Sequence, residues 1–316
     1  MRMRTMNYKQ CAKLLLTHEN ILIVTHRNPD GDTVASAAAL CSALRRGGRN
    51  AYLYPNPQVN RHLRPFAEKY FAPEDFTAKY TVAVDVATEG MLPKGFEGAV
   101  DLCIDHHPTN SGYAGETLVR ADKSSCAEAV MEVILCMNTD LTPDEATLLY
   151  IGLTTDTGCF QYSNTSAASF RAAAELLRLG ADNSMVSTVF FRKVSRARLK
   201  LESMIYSGLQ YFRDGKIAVA AITLEMMEKA GATEDDCDDL AGLAGRVEGS
   251  ILNITIREQE DGSSKISVRS TPEISSSDIC AVFGGGGHAM AAGCTIYGKP
   301  DKARDMLLSV IDEVWK

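Results

Sequence analysis

A chain of 316 residues is long for one hydrophobic core, because single cores stop growing near ~250–300 residues, so two domains are expected. The composition is that of an ordinary globular protein, 45% hydrophobic and 23% charged, which lets each domain bury a core of its own. Forty acidic and 33 basic residues leave a net charge of -7, which argues against a protein that coats long nucleic acid but not against an enzyme that handles short anions through metal ions.

Met6 to His18 reads as a helix. Arg2, Arg4, Lys9, Lys13, His18 and Glu19 interrupt the first twenty residues, so no secretory leader is expected there. Ile21-Leu22-Ile23-Val24-Thr25 is a continuous apolar run typical of a buried parallel strand. A polar turn, His26 to Asp32, leads into an Ala-rich helix from Thr33 to Arg46 that Gly47-Gly48 ends. Asn50–Tyr54, Tyr80–Val84 and Ala99–Ile104 are further strands. Helices follow over about Ser125–Met137, Thr142–Thr155 and Ser166–Leu179; the second has Thr142 as N-cap, Pro143 at N1 and Glu145 at N3. The rhythm predicts an α/β fold: an N-terminal parallel sheet with helices on both faces.

Between Phe190 and Tyr206 the pattern changes. Arg192, Lys193, Arg196, Arg198 and Lys200 crowd into one segment, read as a linker helix over 191–207 between a domain at 1–190 and another at 208–316. Beyond it the chain is strand-rich and predicts a smaller α/β domain with a mixed sheet. Leu209–Arg213 and Lys216–Thr223 form a hairpin through Asp214-Gly215, and Ile251–Glu258 pairs with Lys265–Arg269 through Asp261-Gly262. An acidic helix over about Thr233–Val247 lies between the pairs, and a last helix covers about Asp301–Trp315. The nine cysteines show no CxxC spacing and sit beside apolar residues, which suits reduced thiols in a cytoplasmic protein rather than a disulfide or zinc scaffold. No run of roughly 18 apolar residues exists, so no membrane span is expected.

Four polar clusters sit at or near the carboxyl ends of the predicted strands, where ligands bind in such sheets. They are His26 to Asp32, Asp85, Asp105-His106-His107, and Asp156 within Thr154-Thr155-Asp156-Thr157-Gly158. Singly, each has a bland reading: a structural histidine, a turn, a cap. Their conjunction does not, because Asp and His are seldom buried without partners. Mixed carboxylate and imidazole donors suit Mn²⁺, Fe or Zn²⁺, and Asp30, Asp32, Asp85 and Asp156 balance the charge of two dications. Such a pair, ~3.5–4 Å apart, generates hydroxide near neutral pH and stabilises an in-line displacement at phosphorus. A second signal is Phe283-Gly284-Gly285-Gly286-Gly287-His288 with Arg269-Ser270 upstream. It lacks the Gly-Lys-Ser/Thr ending of a P-loop and reads as a cradle whose backbone N–H groups meet an anion.

These residues resemble a known family. Asp105-His106-His107 is similar to the motif that names the DHH phosphoesterases, and Thr25 to Asp32 resembles their first motif. Asp85 and Asp156 fall where the family's other metal aspartates lie, and Gly284–Gly293 resembles the signature of the associated DHHA1 domain. The similarity is greatest to the nanoRNase and pAp-phosphatase branch. It implies that His26, Asp30 and Asp85 hold one metal, and that Asp32, Asp85, His106 and Asp156 hold another, with Asp85 bridging and Mn²⁺ the usual ion. It implies that His107 contacts the scissile phosphate, that Asp105 orients a histidine, and that Arg269, Ser270, Gly286, Gly287 and His288 grip the substrate. Thr271 and Ser250 depart from residue types common in relatives, and neither belongs to the metal set.

The implied function is hydrolysis of very short oligoribonucleotides to 5′-mononucleotides, with pAp as a further substrate, in a monomer or homodimer away from membranes. Cleavage of cyclic dinucleotides or pApA is the first alternative. A pyrophosphatase and a processive exonuclease fit the C-terminal signature and the charge less well. A silent nucleotide-binding module would be expected to lack a metal aspartate, and none is missing.

Overall fold

The computed structural model describes residues 6–237 and 240–315. Residues 1–5 of the N-terminal stretch and residues 238 and 239 of the expected acidic helix lie outside the described residues. The chain divides into two compact units, Met1–Lys193 and Val194–Lys316.

The first unit holds five parallel strands: β1 (Ile21–Val24), β2 (Ala51–Leu53), β3 (Tyr80–Val84), β4 (Leu102–Asp105) and β5 (Glu116–Val119), in the order β2-β1-β3-β4-β5. Its helices are α1 (Tyr8–Thr17), α2 (Gly31–Arg46), α3 (Arg64–Ala67), α4 (Cys126–Leu135), α5 (Pro143–Asp156), α6 (Ala167–Arg178) and α7 (Asn183–Val186). Strand residues alternate between two clusters, as the pleat requires. Ile21, Ile23, Val82, Val84, Leu102 and Ile104 enter the main core with the helices. Val24, Ala83 and Cys103 enter a smaller one with Val86 and Val100, against which Leu22, Met91, Leu92, Phe96 and Tyr113 pack. The long β3–β4 connection closes that second face with loops and a 3-10 turn, Glu89–Met91.

Helix α2 is buried along nearly its whole length, which its alanines at 35, 37, 38 and 39 permit. Asn7 and Gln10 form a capping box on α1, as Thr142 and Glu145 do on α5. Glu145 is fully buried and Arg46 neutralises it with a two-pronged bond of 2.9 and 2.8 Å.

The second unit carries β6 (Gln210–Phe212), β7 (Ile217–Ile222), β8 (Leu252–Glu258), β9 (Ser263–Ser270), β10 (Gly286–His288) and β11 (Ala291–Tyr297) in one mixed sheet of order β10-β11-β9-β8-β7-β6. Only β7 and β8 run parallel. Helices α8 (Arg196–Ser207) and α9 (Leu224–Ala230) pack on one face with Ala218, Ala220 and Ile222; α10 (Ser276–Ala281) and α11 (Pro300–Val314) pack on the other with Ile217, Val219 and Ile254. The basic segment is not one continuous helix over 191–207. A π-helical turn over Ser187–Arg192 ends, the chain extends, and Ser195 caps α8. The expected acidic helix is instead two 3-10 segments, Glu234–Cys237 and Leu240–Arg246, since Gly242 and Gly245 weaken α-helix there. Among the described residues no helix is long and apolar enough to cross a membrane.

Candidate active site

The carboxyl ends of β1, β3 and β4 meet the N-terminal end of α2 and the C-terminal end of α5, and there the structure gathers His26, Asp30, Asp32, Asp85, His106, His107 and Asp156. Three groups of donor atoms lie within 4.8 Å: His26 with Asp30 and Asp85, Asp32 with His106 and Asp156, and Asp85 with His106 and His107. Two glycines make the convergence sterically possible. A Cβ on Gly31 would stand 2.4 Å from Thr155 Oγ1, and one on Gly152 would stand 2.7 Å from Asp32 Oδ1. Any other residue would push α2 and α5 apart at the level of the site.

Each donor is aimed by a partner behind it. Asp30 caps α2, its Oδ1 accepting from the N–H groups of Asp32 and Thr33 at 3.1 Å, which leaves Oδ2 to face His26 Nε2 at 3.5 Å. Asp32 is buried and accepts from Ser36 Oγ and from the first two N–H groups of α4, those of Cys126 (2.6 Å) and Ala127 (2.9 Å). A helix N-terminus thus faces a carboxylate, where the macrodipole favours it. Asp85 closes β3 in the left-handed region at φ 62°, which aspartate adopts more readily than most non-glycine residues. Nδ1 of His106 lies 3.2 Å from the Lys123 carbonyl, which can only accept. A proton on Nδ1 makes that bond, and Nε2 is the ring nitrogen turned to the site, 3.5 Å from both Asp85 Oδ1 and Asp156 Oδ2.

Asp105 is placed differently from the other carboxylates. It is fully buried, and its Oδ1 accepts from the backbone N–H groups of His106 and His107 and from His107 Nδ1 at 2.7 Å, while Oδ2 accepts from Asn110 Nδ2 at 2.6 Å. Burial opposes its ionisation, but the bonds from His107 and Asn110 outweigh it and hold the carboxyl below its ordinary range. The same contact raises the proton affinity of His107, whose Nε2 is the nitrogen not used by Asp105.

Two oxygens show what the cluster lacks. Asp85 Oδ1 and Asp156 Oδ2 are buried and have no hydrogen-bond donor. Burial first, then the negative charges of Asp32 and Asp30, pushes the Asp156 carboxyl up to about 9 and raises Asp85 well above the carboxylate range. Two orphaned carboxylate oxygens that share one imidazole nitrogen, His106 Nε2, fit the donor set of a divalent metal site.

In the second unit, Arg269 on β9, Ala291 on β11 and His288 on β10 stand in one cross-strand row. Ser267, Gly293 and Gly286 form the next row on that face. Directly opposed side chains share a face, so Arg269, Ser267 and His288 flank a floor of Ala291, Gly293 and Gly286. They line a groove of about 900 Å³ together with Lys265 and Thr295. The glycine run is half strand: Gly286 and Gly287 belong to β10. A Cβ on Gly285 or Gly287 would meet β11 backbone at 2.3 or 2.5 Å, whereas one on Gly286 would meet nothing within 4 Å. Ser270 is placed away from this floor, its hydroxyl bonded to the Ile274 carbonyl and Ser276. Gly287 is not among the lining residues.

The sequence reading missed Asn110, Ser36, the Lys123 carbonyl and Asn164, whose amide bonds the carbonyls of Asp156 and Ser124. Asn110, three residues past His107, and Ser36, one helical turn past Asp32, stood near motifs.

A parallel sheet with histidines and carboxylates at its carboxyl edge, followed in sequence by a mixed sheet with a glycine-floored groove, suits metal-assisted chemistry on phosphate esters. The DHH family's N-terminal domain matches residues 20–153, and the DHHA1 domain matches residues 214–316. The bifunctional oligoribonuclease and PAP phosphatase NrnA of Thermus thermophilus is 35% identical over 93% of this chain and 89% of its own length. The cyclic-di-AMP phosphodiesterase PdeA of Listeria monocytogenes is 27% identical over 100% of this chain and 51% of its own. In fold, the crystal structure of an exopolyphosphatase-related protein from Bacteroides fragilis superposes with a TM-score of 0.86 at 22% identity, covering 97% of this chain and 96% of the other. The chain belongs to the DHH family of phosphoesterases, with a DHHA1 domain at its C-terminal end.

Proposed function

We propose that this protein hydrolyses very short oligoribonucleotides to 5′-mononucleotides and removes the 3′-phosphate of pAp, using two divalent metal ions, Mn²⁺ by preference. The observation that carries the reading is the pair of buried, donorless oxygens on Asp85 and Asp156, both 3.5 Å from the one imidazole nitrogen His106 Nε2. The similarity to a bifunctional oligoribonuclease and PAP phosphatase over nearly the whole chain supports the substrate class. His26, Asp30 and Asp85 would hold one ion, and Asp32, Asp85, His106 and Asp156 the other, with Asp85 shared. When bound, the pair supplies a nucleophile near neutral pH and charge stabilisation for an in-line displacement.

The chain's own residues do the rest. Asp105 holds His107 by Nδ1 and favours its protonated form, so Nε2–H can donate to a non-bridging phosphate oxygen as negative charge develops. Asn110 fixes Asp105 from behind. Arg269 and His288 would bind the far phosphate or nucleotide of the substrate over the bare floor of Gly286 and Gly293.

The test is one panel of turnover rates with Mn²⁺ on end-labelled RNA of two, three, five and twenty-four nucleotides, pAp, pApA and cyclic di-AMP. Rates that peak on the shortest RNAs, with mononucleotide products, are expected. Similarity to a cyclic-di-AMP phosphodiesterase favours the second reading. A lead of about tenfold for pApA or the cyclic dinucleotide, ~1.4 kcal/mol of transition-state stabilisation, would move the function there.

A further inference from the structure

Just past Asp156 the backbone takes three consecutive left-handed residues, Gly158, Cys159 and Phe160, at φ 55°, 55° and 64°. Two of them are not glycine, and each such residue costs on the order of 1 kcal/mol or more. Local bonds hold the turn in place. Cys159 N–H donates to the Thr154 carbonyl at 2.7 Å and Tyr162 N–H to the Thr157 carbonyl at 3.0 Å. Thr157 Oγ1 donates to the Leu153 carbonyl and accepts from Phe160 N–H. Asn164 ties the far end of the turn back to the Asp156 carbonyl at 3.1 Å.

What the strained turn presents is aromatic surface. A Cβ on Gly158 would stand 2.4 to 2.6 Å from three atoms of the Tyr162 ring, so the ring lies on the chain two residues beyond Asp156. Gly158 Cα is within about 7 Å of Asp156 Cα. Tyr162 is 60% exposed, so the rest of its ring is open. Beside it, Phe160 packs on the main core and stacks on Phe170 of α6, with 5.0 Å between centroids and 24° between planes; Phe170 is 56% exposed. A single exposed ring on a surface is ordinary. A strained turn that lays one ring on the backbone two residues past Asp156, and stacks Phe160 on a second open ring, is a built feature.

We propose that Tyr162 is a specificity-determining residue: its exposed ring stacks on the base of the nucleotide whose phosphate is cleaved at the Asp85–Asp156 cluster. The inference rests on the nucleotide-hydrolase reading above. Every base has a π face, so a stacking ring recognises a nucleotide without selecting among sequences, as a scavenger of short RNA requires. The bonds of the turn and the contact with Gly158 hold the ring before substrate arrives, which limits the ordering cost of binding.

The experiment compares the Mn²⁺-loaded full chain with Tyr162→Ala, Tyr162→Leu and Tyr162→Trp. The substrates are an RNA dinucleotide and two counterparts that each lack one base. Tyr162→Ala is expected to raise KM for the intact dinucleotide about tenfold more than for one of the abasic counterparts, a difference of ~1.4 kcal/mol, within the range of base–aromatic stacking. Tyr162→Trp restores the discrimination, and Tyr162→Leu, which fills space without a π face, does not. Equal losses on intact and abasic substrates, or full rescue by Leu, overturn the stacking role. If the wild type cleaves bis(p-nitrophenyl) phosphate but no dinucleotide, the nucleotide reading falls and the stacking role falls with it. If the dinucleotide is cleaved and only the stacking signature is missing, the inference alone falls.

Discussion

Asp85 combines a left-handed backbone with a buried oxygen that no donor reaches. Asn tolerates the same backbone region, whereas Ala would add strain. Asp85→Asn is therefore the sharper substitution. It is expected to reduce Mn²⁺-dependent turnover by about 10³-fold or more while raising the melting temperature of the metal-stripped protein at neutral pH, because an amide enters the buried site without the proton uptake that the raised carboxyl requires. Turnover close to wild type in that variant would sink the two-metal mechanism. A pH dependence follows from the same group and its neighbour. Asp156, raised to about 9, and Asp85, raised well above its ordinary range, keep their protons in the folded state after the unfolded chain has lost them near pH 4. The folded state then binds more protons, so stability must fall as pH rises from about 4 towards about 9. His107, also raised, adds the same sign above its unfolded value of about 6.5. Thermal melts of the stripped protein should decline across that window, and Mn²⁺ should raise the melting temperature more at its alkaline end, with proton release. A flat or rising profile without metal counts against the assignment. The sequence named the side chains that converge here because Asp and His after apolar strands are conspicuous. It did not reveal their supports, since the Lys123 carbonyl and the N–H groups of α4 are backbone and leave no mark in residue type.

At the scale of elements, what decides the site is how closely α5 approaches α2. Gly152 faces Asp32 Oδ1 and Ala127 Cβ, at 2.7 and 2.8 Å from an added Cβ. Gly152→Ala is expected to cost about 1–3 kcal/mol through overpacking and to weaken Mn²⁺ binding, because the obstructed atom is a carboxylate oxygen of the site. Calorimetric titration with Mn²⁺ checks the second effect. Gly242→Ala, whose Cβ would meet nothing within 4 Å, should change neither measurement. Wild-type affinity in Gly152→Ala would mean that Asp32 tolerates displacement. A continuous apolar run made β1 legible from the sequence, and the Thr142 cap with Pro143 and Glu145 did the same for α5. Strand β5 went unread because in Glu116–Val119 only Thr117 and Leu118 are buried, too short a pattern to stand out. Closure of the second sheet face by the β3–β4 loop was not legible either: its Met91, Leu92 and Phe96 follow no helical period. In the glycine run, the cradle reading missed that part of the run pairs as an edge strand, a role set by β11 rather than by local propensity.

For the whole molecule, the proposed function assigns cleavage to the carboxylate cluster of one unit and anion binding to the glycine-floored groove of the other. The net charge of -7 concentrates no attraction for long anions, so anion binding has to come from local groups. On the groove face, adjacent strands about 4.8 Å apart put Arg269 and His288 roughly 10 Å from each other across Ala291. Nothing but backbone and one methyl group stands between them, which leaves a seat for a phosphate with a cation at its edge. The open space over Gly286 has no internal explanation, unlike that at Gly285 and Gly287, where β11 would be struck. Arg269→Ala is expected to raise KM for a dinucleotide by about tenfold, with a smaller effect on kcat, because binding to a remote phosphate is felt about equally by ground and transition states. The salt dependence of KM should weaken in parallel, since one fewer cation meets the substrate. Steady-state kinetics at two ionic strengths decides it. If KM and its salt dependence both stay at wild-type values, the groove does not bind the substrate's phosphate and its bare floor needs another occupant. If kcat falls as far as kcat/KM, Arg269 acts on the transition state itself, and the division of labour between the two units is wrong.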